Sequence, residues 1–405
     1  MLSLFCFRPA LRTGLRKRGQ HGRIHGCVRA TFQVLDNIPS KYKVGIFATP
    51  GTYQAAIRFS SGPQANDGIP GAQGMAIKLI GVPGQKILKK QADATTHDFI
   101  LLDFPVFFVR DTDSYARLVS ELARAKPDAK PVKWLEWLGQ SHPEDVAIAE
   151  RYDARVVDSP LTQNYFSQVP YAFGLGDDTI CRYGAMPHPE NRNAGPPPAS
   201  AGGNYLRQVM INHLTTAAQP ATFDFCVQLL TGATPEIIDS PTVEWNTPYQ
   251  RVATITVMAQ DFAQPEQDRF GQNLSYTPWH ALPAHRPVGQ INEIRRMVYA
   301  WSSGVRHLFN LRLQREPTSA VPSRPTGSSL GRVLKYTALA AAVSIAVIGW
   351  FLWPKLHVDL PTYPAVEKQV WLDQQWPPGA REWYHHASQG AVSYTHLTLP
   401  TKRIV

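Results

Sequence analysis

The chain has 405 residues, of which 43% are hydrophobic, and carries 41 Lys and Arg against 31 Asp and Glu, a formal net charge of +10. That length supports one large domain with a full core plus an appendage. Cys6, Cys27, Cys181 and Cys226 stand far apart with no C-x-x-C or C-x-x-C-H pattern, so zinc, an iron–sulfur cluster, covalently attached haem and a disulfide framework have no basis in the sequence. Residues 1–30 hold seven Arg or Lys and no acid, while the remainder is nearly balanced. No helix-turn-helix, zinc-finger or RNA-recognition pattern accompanies that basic arm, and we expect no nucleic-acid partner.

In chain order, Met1–Ala10 lacks the cationic start and long apolar core of a secretory signal. Next come Arg18, His21 and His25, followed by Gly26, Cys27, Val28, Ala30 and Phe32. Cys27–Val34 and Tyr53–Phe59 alternate as strands, the second ending in Arg58-Phe59-Ser60. Gly74-x-Ala76-x-Lys78 follows, then Asp103-Phe104-Pro105-Val106-Phe107-Phe108-Val109-Arg110-Asp111. Ser114–Arg124 and Pro143–Tyr152 read as helices. Asn191–Gly203 is a Pro/Gly/Ala-rich loop by composition. Thr222–Leu230 and Val252–Val257 show period-two patterning with β-branched and aromatic residues. The stretch Trp279–Gly289 leads into a longer helix, Ile291–Leu311, which holds Arg295 and Tyr299.

On a helix, residues four apart share a face, so Arg295 can sit beside Tyr299. A free phenol has a pKa of about 10, and a fixed positive charge nearby favours the phenolate. An anionic oxygen suits ferric iron, and tyrosinate is a known ligand of haem. Alone, Arg-x-x-x-Tyr is also what an ordinary surface arginine and half-buried tyrosine look like.

Taken in order, these motifs resemble the haem catalase superfamily, most closely its short, catalase-like branch, over about residues 15–310. The resemblance implies an α+β fold: an antiparallel β-barrel carrying helical additions. It implies non-covalent haem b, with Tyr299 as iron ligand and Arg295 beside it. It matches His21 to the distal histidine that moves a proton between the peroxide oxygens, with His25 as a second histidine common in the branch. Two exposed histidines of a basic arm, or an i,i+4 metal pair, are the plainer readings, although no Cys or carboxylate nearby completes a metal site. Arg18 and Arg58 match positions that hold haem propionates, where a bidentate guanidinium suits a carboxylate. Ser60 matches a serine that orients the distal histidine, while Phe107, Phe108 and Tyr115 match the pocket walls. The family places an Asn two or three residues before the Pro of Pro-x-Phe-Phe; here those positions are Asp103 and Leu102. An ionised Asp only accepts hydrogen bonds, whereas Asn also donates. Reduction of hydrogen peroxide or organic hydroperoxides with an unidentified electron donor is therefore the expected activity. A lipid-hydroperoxide isomerase or lyase and a non-enzymatic haem sensor or carrier are the alternatives, and homo-oligomerisation is open.

The expected organisation is a basic arm at 1–15, the haem domain at 16–315 and a linker at 316–335. Residues 336–353, YTALAAAVSIAVIGWFLW, are uncharged and long enough for one transmembrane helix in contact with lipid. Arg315, Arg324, Arg332 and Lys335 precede it against Lys355 and Lys368 after it, which orients the main domain to the cytoplasm. Residues 354–392 read as a tail or the start of a further domain. Residues 393–405 resemble a translated adaptor rather than native sequence.

Overall fold

Strand β1 (Arg23–Val34) buries Val28, Ala30, Phe32 and Val34 while Arg29 and Gln33 stay exposed, the period-two signature of one face against a core. The computed structural model describes residues 18, 21–62, 66–124, 132–153, 157–176, 178–191, 202–310 and 314–322. β1 pairs with β2 (Gly51–Ser61), and antiparallel pairing continues through β3 (Gln73–Ile80) and β4 (Thr96–Leu102). The two-residue β5 (Tyr165–Phe166) then joins β4 to β7 (Thr179–Pro187). β8 (Ala221–Thr231) and β9 (Tyr249–Val257) return the ladder to β1. β6 (Tyr171–Ala172) pairs only along β7, so eight of the nine strands close into a ring. Closure leaves the ring without free edges.

The barrel interior is aromatic. The Phe225 ring centroid lies 4.8 Å from Phe99, 5.0 Å from Phe32 and 5.8 Å from Tyr183. His285 ties the Pro283–His285 turn to this core, its Nε2 accepting from the Ile46 amide at 3.0 Å and its Nδ1 meeting the Tyr183 hydroxyl at 2.9 Å. Because Nε2 is an acceptor and burial pushes the imidazole pKa down to about 3, the neutral ring carries its proton on Nδ1.

A second buried cluster lies on the opposite face of the β1–β4 half. Cys27, Ala56, Ile100, Leu274 and Tyr276 pack there with Ala76 and Tyr299. Helix α1 (Thr112–Arg124), α2 (Val132–Ser141) and α3 (Pro143–Asp153) follow β4, and α4 (Tyr205–Ile211) precedes β8. After the short α5 (Pro235–Ile238) and α6 (Pro265–Asn273) comes α7 (Gln290–Phe309). The start of α7 is fixed by Gly289, whose φ of 88° belongs to the left-handed region, and by the Asp239 carboxylate, which accepts from the Gln290 amide at 2.7 Å. The buried Asn292 donates to the Pro170 carbonyl at 2.8 Å, and Trp279 donates to the Asn292 carbonyl at 2.7 Å. The face of α7 that reaches the barrel is set by these bonds.

The expected strands and helices appear with ends moved by a few residues: Cys27–Val34 begins at Arg23, Tyr53–Phe59 becomes Gly51–Ser61, and the late helix ends at Phe309. Most of the 191–203 loop lies outside the described residues, as do residues 1–15, 336–353 and 354–405. Among the described residues, no helix is long and apolar enough to cross a membrane.

Phe225→Ala empties the centre of the aromatic core and should cost about 3–5 kcal/mol. Urea unfolding reads this directly, and a loss under 1 kcal/mol would mean that the barrel centre is loosely packed.

Candidate functional site

Antiparallel register lays out the outer face of β2, β3 and β4 as three rows. Ser60, Gly74 and Leu102 form the first, Arg58, Ala76 and Ile100 the second, and Ala56, Lys78 and Asp98 the third. Their inward neighbours Ile57, Phe59, Met75, Ile77, Phe99 and Leu101 belong to the aromatic core. Alternation along each strand therefore places polar side chains on the outer face without opening the barrel.

His21 lies over the first row. Its Nδ1 is 3.5 Å from Ser60 Oγ, and a Cβ on Gly74 would stand 2.8 Å from that nitrogen. Glycine at 74 is what lets the ring approach the strand. The backbone at His21 has a φ of 50°, unusual outside glycine, and its carbonyl accepts from Arg58 Nη2 at 2.7 Å. Burial, then the nearby Arg58 charge, pulls the His21 pKa down to about 4. At neutral pH the ring is a proton acceptor. His25 is displaced from the ladder by the irregularity between Ile24 and Gly26 and is itself buried, with its pKa lowered to about 4 by burial.

The second row carries the charge. Arg58 is 2% exposed, and among the described residues its Nε has no hydrogen-bond partner. Arg18 donates to the Leu274 carbonyl, and its guanidinium stands 5.9 Å from the Tyr276 ring centroid. Burial, then Arg18, holds the Arg58 pKa well below the usual arginine value, and burial lowers Arg18 likewise. Among the described residues, neither Arg18 nor Arg58 forms an ion pair with a carboxylate. Arg306, buried on α7, adds its charge to the field at Arg58 and donates to the Leu274 carbonyl at 3.1 Å. An arginine keeps its proton even when buried, so this grouping favours an anion.

Arg295 and Tyr299 occupy the inner face of α7, one turn apart. The guanidinium donates to the Tyr299 hydroxyl at 3.4 Å and to Asn292 Oδ1 at 3.1 Å. Burial works against the Arg295 charge, but Tyr299 and Tyr171 outweigh it, and its pKa is raised. Phe107 and Phe108 have centroids 4.8 Å apart, with Tyr115 6.2 and 6.3 Å from them. Tyr115, expected on the distal wall, also lies within electrostatic reach of Tyr299 and Arg295, and burial raises its pKa to about 12.

Asp103 lies one residue beyond the first row. Its amide donates to the Gln73 carbonyl at 3.0 Å, and its Oδ1 accepts from the Gln73 amide at 2.8 Å. The residue in line with Ser60 and Gly74 is Leu102. Of the ten residues singled out in the sequence, His21, Ser60 and Arg58 are brought together by contacts, with Arg18 within electrostatic reach of His21 and Arg58, and Arg295 contacts Tyr299. Phe107, Phe108 and Tyr115 form a third group. Sequence reading missed Arg306 and Tyr276. Arg306 had a signal, since it stands seven residues after Tyr299 and so two turns along the same face.

Among solved structures, a fungal catalase matches with a TM-score of 0.57 and 15% identity, covering 78% of this chain and 65% of that one. A bacterial catalase matches with a TM-score of 0.58 and 14% identity, covering 78% and 63%. The chain has a catalase-like fold. It spans under two thirds of the length of either catalase. The uncharacterised protein y4iJ of Sinorhizobium fredii (strain NBRC 101917 / NGR234) is 43% identical over 63 residues, 16% of this chain and 10% of that protein. No family model matches.

A haem carries two carboxylates on a flat apolar macrocycle. Arg58, whose buried Nε has no partner among the described residues, and its neighbour Arg18 suit the carboxylates, and the Arg295-backed oxygen of Tyr299 suits the iron. The residues present fit the group.

Burying a charge without a counter-ion carries a desolvation cost that an apolar side chain of similar length does not. Arg58→Met should accordingly raise the thermal midpoint of the ligand-free protein. A lowered midpoint would show that Arg58 already has its counter-charge.

Proposed function

We propose that this chain is a haem-dependent, catalase-like protein that reduces hydrogen peroxide or organic hydroperoxides. The observation that carries this reading is the buried Arg58 with the half-buried Arg18 near it, adjacent to the distal histidine candidate and without a carboxylate partner among the described residues. Arg18, Arg58 and Arg306 would hold the propionates, and Tyr299 would bind the iron. When bound, the haem supplies a redox-active iron at which a peroxide oxygen can be activated. His21, neutral at physiological pH, takes a proton from one peroxide oxygen and returns it to the departing one. Ser60 meets His21 Nδ1 and orients the ring, while Arg58 holds the His21 backbone in its left-handed conformation. Arg295 donates to the Tyr299 hydroxyl oxygen at 3.4 Å and so fixes where that oxygen stands.

A second reading, rearrangement of a lipid hydroperoxide rather than its reduction, is favoured by the first row. Leu102 offers no hydrogen bond there, and the Asp103 carboxylate is engaged by the Gln73 amide. Oxygen evolution, guaiacol-type oxidation and product analysis with a fatty-acid hydroperoxide separate the two. We also propose that residues 336–353 anchor the chain in a membrane with the barrel on the cytoplasmic side, on the strength of their uncharged sequence and the preceding Arg332 and Lys335.

Haem should be extractable into acid–acetone, since no C-x-x-C-H attaches it. Tyr299→Phe should remove the oxygen ligand and weaken haem retention; a variant with the parent's ferric spectrum would place the iron elsewhere.

The pH profile provides a separate check. Because the folded pKa of His21 is lowered to about 4, the free base persists as pH falls through 6.5 and is lost only as it approaches 4. The acid limb of peroxide turnover should lie near pH 4. A limb near 6.5 would mean that His21 is solvated, or that another group is the base.

A further inference from the structure

Below the site, the third row holds a lysine whose side chain is 0% exposed. Lys78 Nζ meets Asp98 Oδ1 at 2.6 Å and Glu316 Oε2 at 2.6 Å. Asp98 is its cross-strand neighbour, whereas Glu316 comes from the segment 314–322 that follows α7. The socket around Glu316 is well made: Thr96 Oγ1 donates to it at 2.8 Å, Gln91 Nε2 at 3.2 Å, and His280 Nε2 stands 3.7 Å away. Four residues further on, Ala320 is buried in the same outer cluster as Tyr276 and Tyr299. The segment is a strap pinned at a carboxylate and at a methyl group.

The pin connects to the arginines through one ring. Lys78 Nζ lies 5.5 Å from the Tyr276 ring centroid, and Arg18 lies 5.9 Å from the same centroid. The Tyr276 hydroxyl donates to the Ala56 carbonyl at 3.4 Å, in the same row as Lys78. Moving Lys78 therefore moves the surface against which Arg18 rests. Cations over an aromatic ring are held by its quadrupole, and Tyr276 has both of these near its centroid.

We infer that Glu316 is a positioning residue for the cofactor arginines: by fixing Lys78 and the strap it fixes Tyr276, and through Tyr276 the guanidinium of Arg18. The inference rests on the haem reading above. Glu316 touches neither cofactor nor peroxide in this account. Its effect is on how long the cofactor is retained.

The test uses the full chain loaded with haem, comparing the parent with Glu316→Gln, Glu316→Asp and the milder Gln91→Ala. Two rates are read: haem transfer to excess apomyoglobin, and trypsin cleavage after Arg315, an exposed residue beside the half-buried Glu316. Glu316→Gln should speed both by about tenfold or more, because a buried lysine loses one of its two counter-charges and the strap opens locally. Gln91→Ala should move both in the same direction by less, and Glu316→Asp should recover part of the loss. Faster cleavage with unchanged haem release would overturn the inference and leave the strap a purely structural clasp. No change in either rate would overturn it as well. A parent chain that binds no haem would instead defeat the haem reading and the inference with it, a result visible before any variant is compared.

Discussion

Alternation along β2 is the constraint on which the remaining structure depends. Ala55, Ile57 and Phe59 enter the aromatic interior, so Ala56, Arg58 and Ser60 must face outward. Register then extends that choice to β3 and β4, because a slip of one residue would send Arg58 into the core and Phe59 to the surface. A barrel packed solid with phenylalanine has no room for a cofactor inside. The polar side chains of these strands lie on the outer face, and α6, α7 and the chain around Leu274–Tyr276 pack against it.

Covering that face has an electrostatic consequence. Each hydrophobic contact that excludes water over the second row also desolvates Arg18 and Arg58, and desolvation of a guanidinium costs more than any single backbone carbonyl returns. Lys78, one row away, shows the other solution: two carboxylates meet it at 2.6 Å. Burial and pairing pull against each other there, and for Lys78 and Glu316 the pairing wins, so Lys78 is raised and Glu316 lowered. The third row is paired with the chain's own acids, whereas among the described residues the second row has no carboxylate partner.

Much of this was legible in the sequence where pattern and chemistry coincide. β1, β2, β8 and β9 alternate cleanly, and α7 declares itself by its length and by Arg295 and Tyr299 one turn apart. β7 was not legible. Arg182 within it is buried under Trp245, at 4.4 Å from the ring centroid, and Gly184 and Pro187 break the strand pattern. β5 and β6 are two residues each, too short for any period to show, yet β5 closes the ring. The roles of Tyr276 and Glu316 were hidden because they depend on contacts across some two hundred residues of chain, which no local pattern encodes.

The distal side shows most clearly where spacing stops and register takes over. Counting back from Pro105 leaves Leu102 and Asp103 as equal candidates for the position that an amide occupies in the family resembled. The ladder separates them. Leu102 pairs with Gly74 and so shares the row of Ser60, beneath His21, while Asp103 turns its carboxylate onto the Gln73 amide at 2.8 Å. A carboxylate already accepting a backbone hydrogen bond is a worse partner for an incoming peroxide than its sequence position suggests, and a leucine is none at all. Polar guidance on the first row then reduces to His21 and Ser60. Such a row places one proton acceptor, His21, beside one hydroxyl, Ser60, and closes on an apolar side chain, so its polar and hydrocarbon surfaces lie next to each other on one face.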